Sequence, residues 1–274
     1  FRQLSQISPQ CQHTGNAVEF PRNASIIPLI FLTSNDLFQC PDKNIPDPVF
    51  SLIDLDDCLV EATWNSAGLA GTGSNDIVVT DAEIPPHRMM RVMDLRGEET
   101  DGSRANDSYL YRLPLFAVFP FNIIGPALGA ARGALDDVIE DLTSRHSVTG
   151  ADLSKAATVH TRIGQATALI DSADAMIEKI RANIIQKGRA NEEFSMDERA
   201  RYRLNLGHIA QSCCAAVDEL LPLTGGRGLE KTHPMQRAWR DVHAVAQHIG
   251  LVWDVQTGLY GNVRLGHGSP DPKL

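Results

Sequence analysis

The sequence predicts an α+β protein in which a small antiparallel β-barrel or sandwich precedes an antiparallel four-helix bundle. Up to residue 112, short β-like runs alternate with turn residues, which is typical of antiparallel sheets. From residue 120 onward, apolar residues recur at intervals of three and four, which is the spacing of amphipathic helices. Short loops join the helical segments, so neighbouring helices are expected to run antiparallel. We therefore divide the chain into a β-domain, 1–112, and a helical domain, 113–274.

The first part of the chain contains four segments with strand character. A turn of acidic residues, 54–57, separates the second segment from the third, and the pair Pro85-Pro86 follows the fourth. Residues 1–23 have no clear pattern, and no element is predicted there. The predicted strands are 24–33, 49–53, 58–64 and 76–81.

Four amphipathic helices are predicted after residue 120. Pro126 is placed in the first turn of the first helix, where proline is tolerated. A capping box of Ser195 and Glu198 begins the third helix, and Pro222 with Gly225-Gly226 ends it. The predicted buried stripes are Leu128, Leu135, Val138, Ile139 and Leu142; Val159, Ile163, Ala166, Ile170, Ala173, Ile177, Ile180 and Ile184; Tyr202, Leu206, Ile209, Cys213, Ala216 and Leu220; and Met235, Ala238, Val242, Val245, Ile249 and Val252.

Charge and cysteine content exclude several classes of function. The formal net charge of −9 argues against a nucleic-acid partner, which would require a basic face. No apolar run approaches the ~20 residues of a membrane span, so no membrane association is expected. The five cysteines are odd in number and lack metal-ligand spacing, which predicts no metal site and a reducing, cytoplasmic location.

A glycine-rich stretch, 64–79, is the first candidate for ligand binding. Thr72 and Ser74 alternate with Gly71 and Gly73, so the stretch offers hydroxyls and free backbone donors before a strand. A tight turn between two strands would explain the same residues, and the pattern alone leaves both interpretations open.

This stretch belongs to a longer series of motifs. Trp64 is followed by Gly-Leu-x-Gly-Thr-Gly-Ser-x-Asp, then Val-Val, then Pro85-Pro86-His87-Arg88. The series resembles the β-domain of flavin-dependent monooxygenases built on the acyl-CoA dehydrogenase fold. These are oxygenase components of two-component aromatic hydroxylases, such as 4-hydroxyphenylacetate and steroid-phenol hydroxylases and dibenzothiophene monooxygenase. The resemblance continues through 127–135, 225–228 and Arg240-Asp241, and covers roughly residues 48 to 265.

The resemblance implies a reaction and its partners. A separate reductase delivers reduced flavin, as FMN or FAD, and oxygen adds at the flavin C4a carbon to give a hydroperoxide. The distal oxygen then passes to a small aromatic substrate, and the enzyme assembles as a homotetramer. The residues that the resemblance assigns to flavin binding are Trp64, Thr72, Gly73, Ser74, Arg145, Gly225 and Gly226.

His248 is the candidate catalytic residue. In the dehydrogenases of this fold, the Arg-Asp pair often precedes a catalytic glutamate by two turns, whereas this chain has Gln247-His248-Ile249. A histidine near neutral pH can exchange a proton with a phenol or a peroxide, which favours a monooxygenase. Asp241 lies seven residues earlier, on the same predicted helix face, and is expected to pair with Arg237 rather than with the histidine.

Several alternatives remain open at the level of sequence. His248 could be an inert histidine on a helix face, Arg145 an exposed cation at a helix end, and Trp64 a residue of the β-domain core. An acyl-CoA dehydrogenase is the second candidate function, although Glu230 precedes the last helix and is poorly placed as its base. The third candidate is a non-enzymatic scaffold, because the N-terminal helical domain usual in this fold is not found in these residues.

Overall fold

The computed structural model describes residues 12–17, 26–32, 48–80, 82–144, 146 and 150–274. They fall into two compact units. The first, called the β unit, takes the described residues of Phe1–Ser66 and Ala70–Thr100 together with Lys273. The second, called the helical unit, comprises Ala67–Leu69, the described residues of Asp101–Pro272, and Leu274.

The β unit contains two three-stranded antiparallel sheets. Its strands are β1 (Gln12–Ala17), β2 (Ile26–Leu32), β3 (Pro48–Asp54), β4 (Cys58–Glu61), β5 (Asn75–Thr80) and β6 (Met89–Arg91). One sheet has the order β1-β5-β4 and the other has the order β2-β3-β6. Ile53, Ile77 and Val79 form its buried core, because alternate residues of β3 and β5 point to the same face.

All four predicted strands are present, and two further strands were not predicted. β1 lies in the stretch without a pattern, and its sequence Gln-His-Thr-Gly-Asn-Ala contains no apolar run. Backbone pairing with β5 forms this strand, with Gln12 opposite Thr80 and Ala17 opposite Asn75. β6 is only three residues long and pairs with β3. In both cases pairing with a neighbouring strand, and not the local sequence pattern, determines that the segment forms a strand.

The helical unit is organised around its long helices. The α-helices of its described residues are α1 (Asp101–Ala105), α2 (Leu115–Val118), α3 (Pro120–Ser144), α4 (Ala157–Ala190), α5 (Met196–Leu220), α6 (Pro234–Ala246) and α7 (Trp253–Arg264). α5 packs against α3, α4, α6 and α7. Its predicted stripe is confirmed, since all six residues from Tyr202 to Leu220 are buried. Burial of such aliphatic side chains contributes about 1.5–3 kcal/mol each to folding.

The capping box at the start of α5 is confirmed. The Ser195 hydroxyl accepts a hydrogen bond from the backbone N–H of Glu198 at 3.3 Å. In return, the Glu198 carboxylate accepts one from the backbone N–H of Ser195 at 2.8 Å. These two bonds satisfy N–H groups that have no partner inside the helix, and they fix where α5 begins.

The predicted start of the first long helix was wrong. α3 begins at Pro120, so Pro126 lies inside the helix rather than in its first turn. Pro126 is exposed, and water can therefore reach the carbonyl four residues earlier that proline leaves without a donor. Ile139, predicted to face the core, is 39% exposed.

The predicted fourth helix is two helices. α6 ends at Ala246 and α7 begins at Trp253, so residues 247–252 form a turn between them. His248 and Ile249 therefore leave the helical face on which the sequence placed them. Ile249 is 66% exposed, whereas Val242 and Val245 of α6 are buried as expected. The expectation that Asp241 and His248 share one helix face was consequently wrong.

One helical stretch is longer and more apolar than the sequence analysis allowed. Leu115–Ser144 is long and apolar enough to cross a membrane, judged by length and composition alone. The core helix of a folded domain meets the same criterion. The buried residues of α3, among them Ile124, Ala131 and Val138, pack into the core of the helical unit.

Candidate functional site

His248 lies in the turn between α6 and α7, and its two ring nitrogens have different environments. Nδ1 accepts a hydrogen bond from the backbone N–H of Gly250 at 3.1 Å. In the neutral ring, the proton is therefore carried by Nε2. Nε2 has no hydrogen-bond partner among the described residues of the chain. The ring thus presents one N–H group that is available to a ligand.

The surroundings of His248 stabilise its neutral form. Burial, followed by the positive charge of Arg203, lowers the pKa of His248 below the ordinary value for histidine. Burial disfavours the charged imidazolium, and a nearby cation repels it. The histidine is therefore neutral at pH 7, and it becomes charged only at a lower pH than an exposed histidine would.

A buried polar network holds this turn. The Arg203 side chain, on α5, is 6% exposed. Its Nε donates to Oε1 of Gln256 on α7 at 2.9 Å. Gln256 is fully buried, and its Nε2 donates to the backbone carbonyl of Ile249 at 2.7 Å. The residue that follows His248 is thus tied to two helices by consecutive hydrogen bonds.

The Arg240-Asp241 pair of α6 binds the first residues of the glycine-rich stretch. Nη1 of Arg240 donates to the carbonyl of Ala67 at 2.7 Å. The Asp241 carboxylate accepts from the backbone N–H of Leu69 at 2.7 Å. The expected ion pair between Asp241 and Arg237 is not formed. The carboxylate instead pairs with a backbone donor that is 172 positions away in sequence.

Gly68, at the centre of this contact, lies directly against α6. A Cβ atom at this position would overlap the carbonyl oxygen of Arg240 and would lie 2.8 Å from the Cβ of Ala244. Only glycine lets the two backbones approach so closely. The motif Gly-Leu and the motif Arg-Asp are therefore two halves of one contact within the helical unit.

The remaining glycine-rich residues belong to the β unit. Trp64 is 36% exposed, which argues against the alternative that it fills the β-domain core. Its backbone N–H donates to the side-chain oxygen of Asn75 at 3.0 Å. Gly73 has a φ of 63°, a left-handed conformation that favours glycine. Thr72 is exposed, whereas Ser74 is partly buried and its hydroxyl has no partner among the described residues.

Gly225 and Gly226 lie in a 3-10 segment, Leu221–Leu229, that follows α5. The predicted end of the third helix is confirmed, because α5 stops at Leu220. Gly225 has a φ of 63° and breaks the segment. An added Cβ on either glycine would meet nothing within 4 Å, so both backbones border open space. At Gly228, by contrast, a Cβ would overlap the side chain of Thr224.

Comparison with known proteins gives consistent matches. Residues 122–253 match the family described as acyl-CoA dehydrogenase, C-terminal domain. The chain is 32% identical over 235 residues to the "FADH(2)-dependent resorcinol hydroxylase, oxygenase component" of Rhizobium sp. (strain MTP-10005), covering 82% of this chain and 57% of that protein. It is 30% identical over 222 residues to the "Flavin-dependent monooxygenase, oxygenase subunit HsaA" of Rhodococcus jostii (strain RHA1), covering 80% and 58%.

A solved structure agrees with these relatives. The crystal structure of 3-HSA hydroxylase from Rhodococcus sp. RHA1 superposes with a TM-score of 0.76 at 28% identity, covering 85% of this chain and 60% of that one. Residues 122–253 belong to the C-terminal domain of the acyl-CoA dehydrogenase family. The resemblance stated from the motifs is thereby confirmed. The chain spans 57% and 58% of the length of the two curated relatives.

The family match includes part of the candidate site. Residues 122–253 contain most of α3, all of α4, α5 and α6, and the turn with His248. Arg145, assigned to flavin phosphate, lies outside the described residues. Within the described ranges, no group of three or more histidine, cysteine or acidic side chains is placed to hold a metal ion.

The sequence analysis missed Arg203 and Gln256. Gln256 continues the apolar spacing of Val252 and Leu259, so a polar residue stands where a core residue is expected. Arg203 follows the buried stripe residue Tyr202 and precedes Leu206 by three positions. Polar residues inside an apolar stripe are the available sequence signal, because a buried polar group requires a partner.

Proposed function

We propose that the chain is part of the oxygenase component of a two-component flavin-dependent monooxygenase that acts on an aromatic or heteroaromatic substrate. The observation that carries this proposal is His248. By the motif resemblance, His248 follows Arg240-Asp241 at the distance where the dehydrogenases of the fold often have a catalytic glutamate, and its surroundings favour the neutral ring. The names of the relatives at 32% and 30% identity, both oxygenases that use flavin, support the same function.

The proposed cofactor is reduced flavin, as FMN or FAD. The Rhizobium relative is described as FADH(2)-dependent, which supports a flavin that arrives already reduced from a separate reductase. Bound reduced flavin would supply the electrons that activate O2. No dinucleotide fingerprint is present in the sequence, which agrees with electrons delivered by another protein.

The donor groups of the chain fit such a ligand. Among the described residues of the β unit, none pairs with the hydroxyl of Ser74, and none would lie within 4 Å of a Cβ added on Gly71. We propose Trp64, Thr72, Gly73 and Ser74 as flavin contacts of this unit.

In the helical unit, we propose that Gly225 and Gly226 approach the flavin of a neighbouring subunit, since their backbones border open space. Arg145 is proposed to bind the flavin phosphate, for which the planar guanidinium is suited.

The state of His248 determines what its ring can do. Above its lowered pKa, the ring donates one hydrogen bond from Nε2, while Gly250 occupies Nδ1. It can therefore stabilise an oxygen atom that carries negative charge. Below that pKa, the imidazolium can deliver a proton from Nε2. The proton inventory of the reaction would thus change at a pH below the range of an ordinary histidine.

The alternative functions are less well supported. For an acyl-CoA dehydrogenase, the turn 247–252 contains no carboxylate, and Glu230 is exposed after the 3-10 segment. A scaffold without catalysis would need neither the neutral histidine nor its buried network. Retention of flavin separates the scaffold from the two enzymes, and the substrate separates the enzymes from each other.

The finer architecture belongs to the same proposal. We infer that the two sheets form a barrel or sandwich and that the long helices form an antiparallel four-helix bundle. We also infer that the domain boundary lies near residue 112, that the protein is a cytoplasmic homotetramer, and that it binds neither nucleic acid nor membranes.

The test is an anaerobic titration of the purified chain with reduced FMN and reduced FAD, followed by rapid mixing with O2 and a phenol such as resorcinol. Binding of one flavin, with hydroxylated phenol formed after mixing, is expected. His248→Asn should reduce product per flavin oxidised by at least about tenfold, within the range of general acid–base effects. His243→Asn, on α6, is the matched control and should leave the yield unchanged. Binding of neither flavin would contradict the proposal, as would turnover of an acyl-CoA.

A further inference from the structure

The network around Arg203 is unusual because it buries a charge whose counter-charge, the Asp271 carboxylate, forms no hydrogen bond with it. The guanidinium donates to the neutral side chain of Gln256 and, through Nη1, to the carbonyl of Phe116 at 3.1 Å. The carboxylate of Asp271 lies 3.8 Å from Nη1, beyond hydrogen-bond distance. Burial lowers the pKa of Arg203, and Asp271 offsets this in part. A buried arginine of this kind costs free energy.

The hydrogen bonds of the network all lead toward one turn. Gln256 has its amide orientation fixed from both ends, because its oxygen accepts from Arg203 and its nitrogen donates to the carbonyl of Ile249. His248 precedes Ile249 in the same turn. The carbonyl of His248 in turn accepts from the backbone N–H groups of Leu251 and Val252 at 2.7 and 3.0 Å.

The packing leaves the turn little freedom. A Cβ on Gly250 would lie 3.0 Å from Cγ of Pro120 and 3.2 Å from Nδ1 of His248. A Cβ on Gly207, on α5, would lie 3.3 Å from Cγ of Gln256 and 3.3 Å from the carbonyl oxygen of Leu251. These close contacts restrict the positions of the His248 ring and of the Gly250 N–H group that donates to it.

We propose that Arg203 is a positioning residue for His248: through Gln256 it holds the turn that carries the histidine, and it keeps a fixed positive charge near the ring. The part of this role that concerns proton exchange rests on the proposed function. The charged groups concerned are Arg203 from α5 and, facing it, Asp271 from the C-terminal segment. Two neutral residues also pack at this turn, Pro120 from α3 and Gln256 from α7.

The two effects of Arg203 can be separated by substitution. Arg203→Met removes the charge and the hydrogen bonds together. Gln256→Leu breaks the connection to the turn and leaves the charge in place. Arg203→Lys keeps the charge and loses the planar fork that reaches Gln256 and Phe116. Arg181→Met, in the exposed ion pair with Glu178 on α4, is the matched control.

The readout is the pKa of each histidine ring, followed by NMR in the flavin-free protein. Arg203→Met is expected to raise the pKa of His248, because the repelling charge is gone while the burial of the ring remains. Arg203→Lys and Arg181→Met should leave it unchanged.

The second readout is hydrogen exchange of the amides of Leu251 and Val252. Exchange should accelerate at least about tenfold in Arg203→Met and Gln256→Leu, because the turn opens more often. If Arg203→Met does not fold, Asp271→Asn replaces it. Without the Asp271 carboxylate, less negative charge opposes the positive charge of Arg203. The imidazolium is then repelled more strongly, so the pKa of His248 should fall further.

An unchanged pKa of His248 in both Arg203→Met and Asp271→Asn would overturn the proposal, as would unchanged exchange in Gln256→Leu. Neither measurement depends on flavin or turnover. If the pKa and the exchange shift as expected while reduced flavin does not bind, the proposed function fails and the positioning role of Arg203 stands. If hydroxylation requires His248 but neither its pKa nor the exchange of Leu251 and Val252 changes, the proposed function stands and the positioning role of Arg203 fails.

Discussion

Gly68 lies so close to α6 that no other residue fits without movement of a backbone. The carbonyl of Arg240 occupies the space that a Cβ would need, and backbone cannot rotate away as a side chain can. Two hydrogen bonds, one from Arg240 and one to Asp241, flank this contact. The position therefore couples the glycine-rich stretch to the helix that precedes His248.

Gly68→Ala is expected to lower the free energy of unfolding by about 1–3 kcal/mol, because the stretch must move away from α6. Urea unfolding followed by circular dichroism measures the change. Gly71→Ala, three residues later and in open space, is the control and should stay within about 0.5 kcal/mol of the unmodified chain. Equal effects of the two substitutions would mean that Gly68 does not form this contact in solution.

At the same scale, Asp241 acts as a backbone acceptor and not as an ion-pair partner. Asp241→Asn keeps an oxygen that can accept from the N–H of Leu69, whereas Asp241→Ala leaves that N–H without it. We expect Asp241→Ala to cost about 1–3 kcal/mol of stability and Asp241→Asn distinctly less. Thermal unfolding of both variants tests this, and Arg237→Ala should have little effect. A large loss of stability in Arg237→Ala would instead indicate that Arg237 and Asp241 form an ion pair in solution.

Among the elements, α5 depends on Glu198 for both its start and its contact with α4. Burial would raise the pKa of Glu198, but hydrogen bonds from Lys187 and Ser195 outweigh it and lower the pKa. Both Glu198 oxygens lie 2.7 Å from Nζ of Lys187. A carboxylate whose pKa is lowered on folding adds stability above its unfolded pKa, and this stability is lost as pH falls through the folded pKa.

Glu198→Gln is therefore expected to be less stable than the unmodified chain at pH 7, by about 1 kcal/mol. The difference should shrink as the pH falls below the ordinary glutamate value of about 4.3 and should disappear below the lowered pKa of the folded state, since both proteins then lack the charge. Urea midpoints from pH 3 to pH 8 give the curve. The hydrogen bond from Arg181 also lowers the pKa of Glu178 on α4, but water screens that exposed pair, so Glu178→Gln should show a weaker pH dependence than Glu198→Gln. Parallel curves for Glu198→Gln and the unmodified chain would contradict the assignment.

α4 offers a contrast between two of its glycines. A Cβ on Gly164 would meet nothing within 4 Å, whereas one on Gly188 would lie 2.5 Å from Cδ2 of Tyr109. Gly164→Ala should raise stability by about 0.5–1 kcal/mol, because alanine favours the helix. Gly188→Ala should lower stability, since the Tyr109 ring must move. Thermal midpoints of the two variants should therefore shift in opposite directions, and shifts in the same direction would refute the packing at Gly188.

For the whole molecule, the prediction concerns assembly. We expect the chain to sediment as a homotetramer, with Gly225-Gly226 near the flavin of a neighbour. Analytical ultracentrifugation over a range of concentrations measures this. A monomer at all concentrations would remove the proposed role of these two glycines, whereas the contacts of His248 described within one chain would be unaffected.

The sequence by itself determined that strands precede the long helices, and it determined most of the buried stripe of α5. Periodic apolar residues specify a helix and its buried face locally, which is why the stripe of α5 and the capping box of Ser195 were predicted correctly. The acidic turn 54–57 likewise marked the end of β3 and the start of β4. The motifs also identified the family, because several of them occur in a fixed order along the chain.

Only the tertiary structure decided what surrounds His248. The apolar spacing runs on through Ile249 and Val252, so nothing local shows that α6 stops at Ala246. The break, the partner of Asp241 and the network of Arg203 and Gln256 all depend on residues far apart in sequence. Any residue type can accept a hydrogen bond at its backbone carbonyl, so the sequence does not show that Ile249 is the acceptor. The charge near the His248 ring likewise depends on how the helices pack.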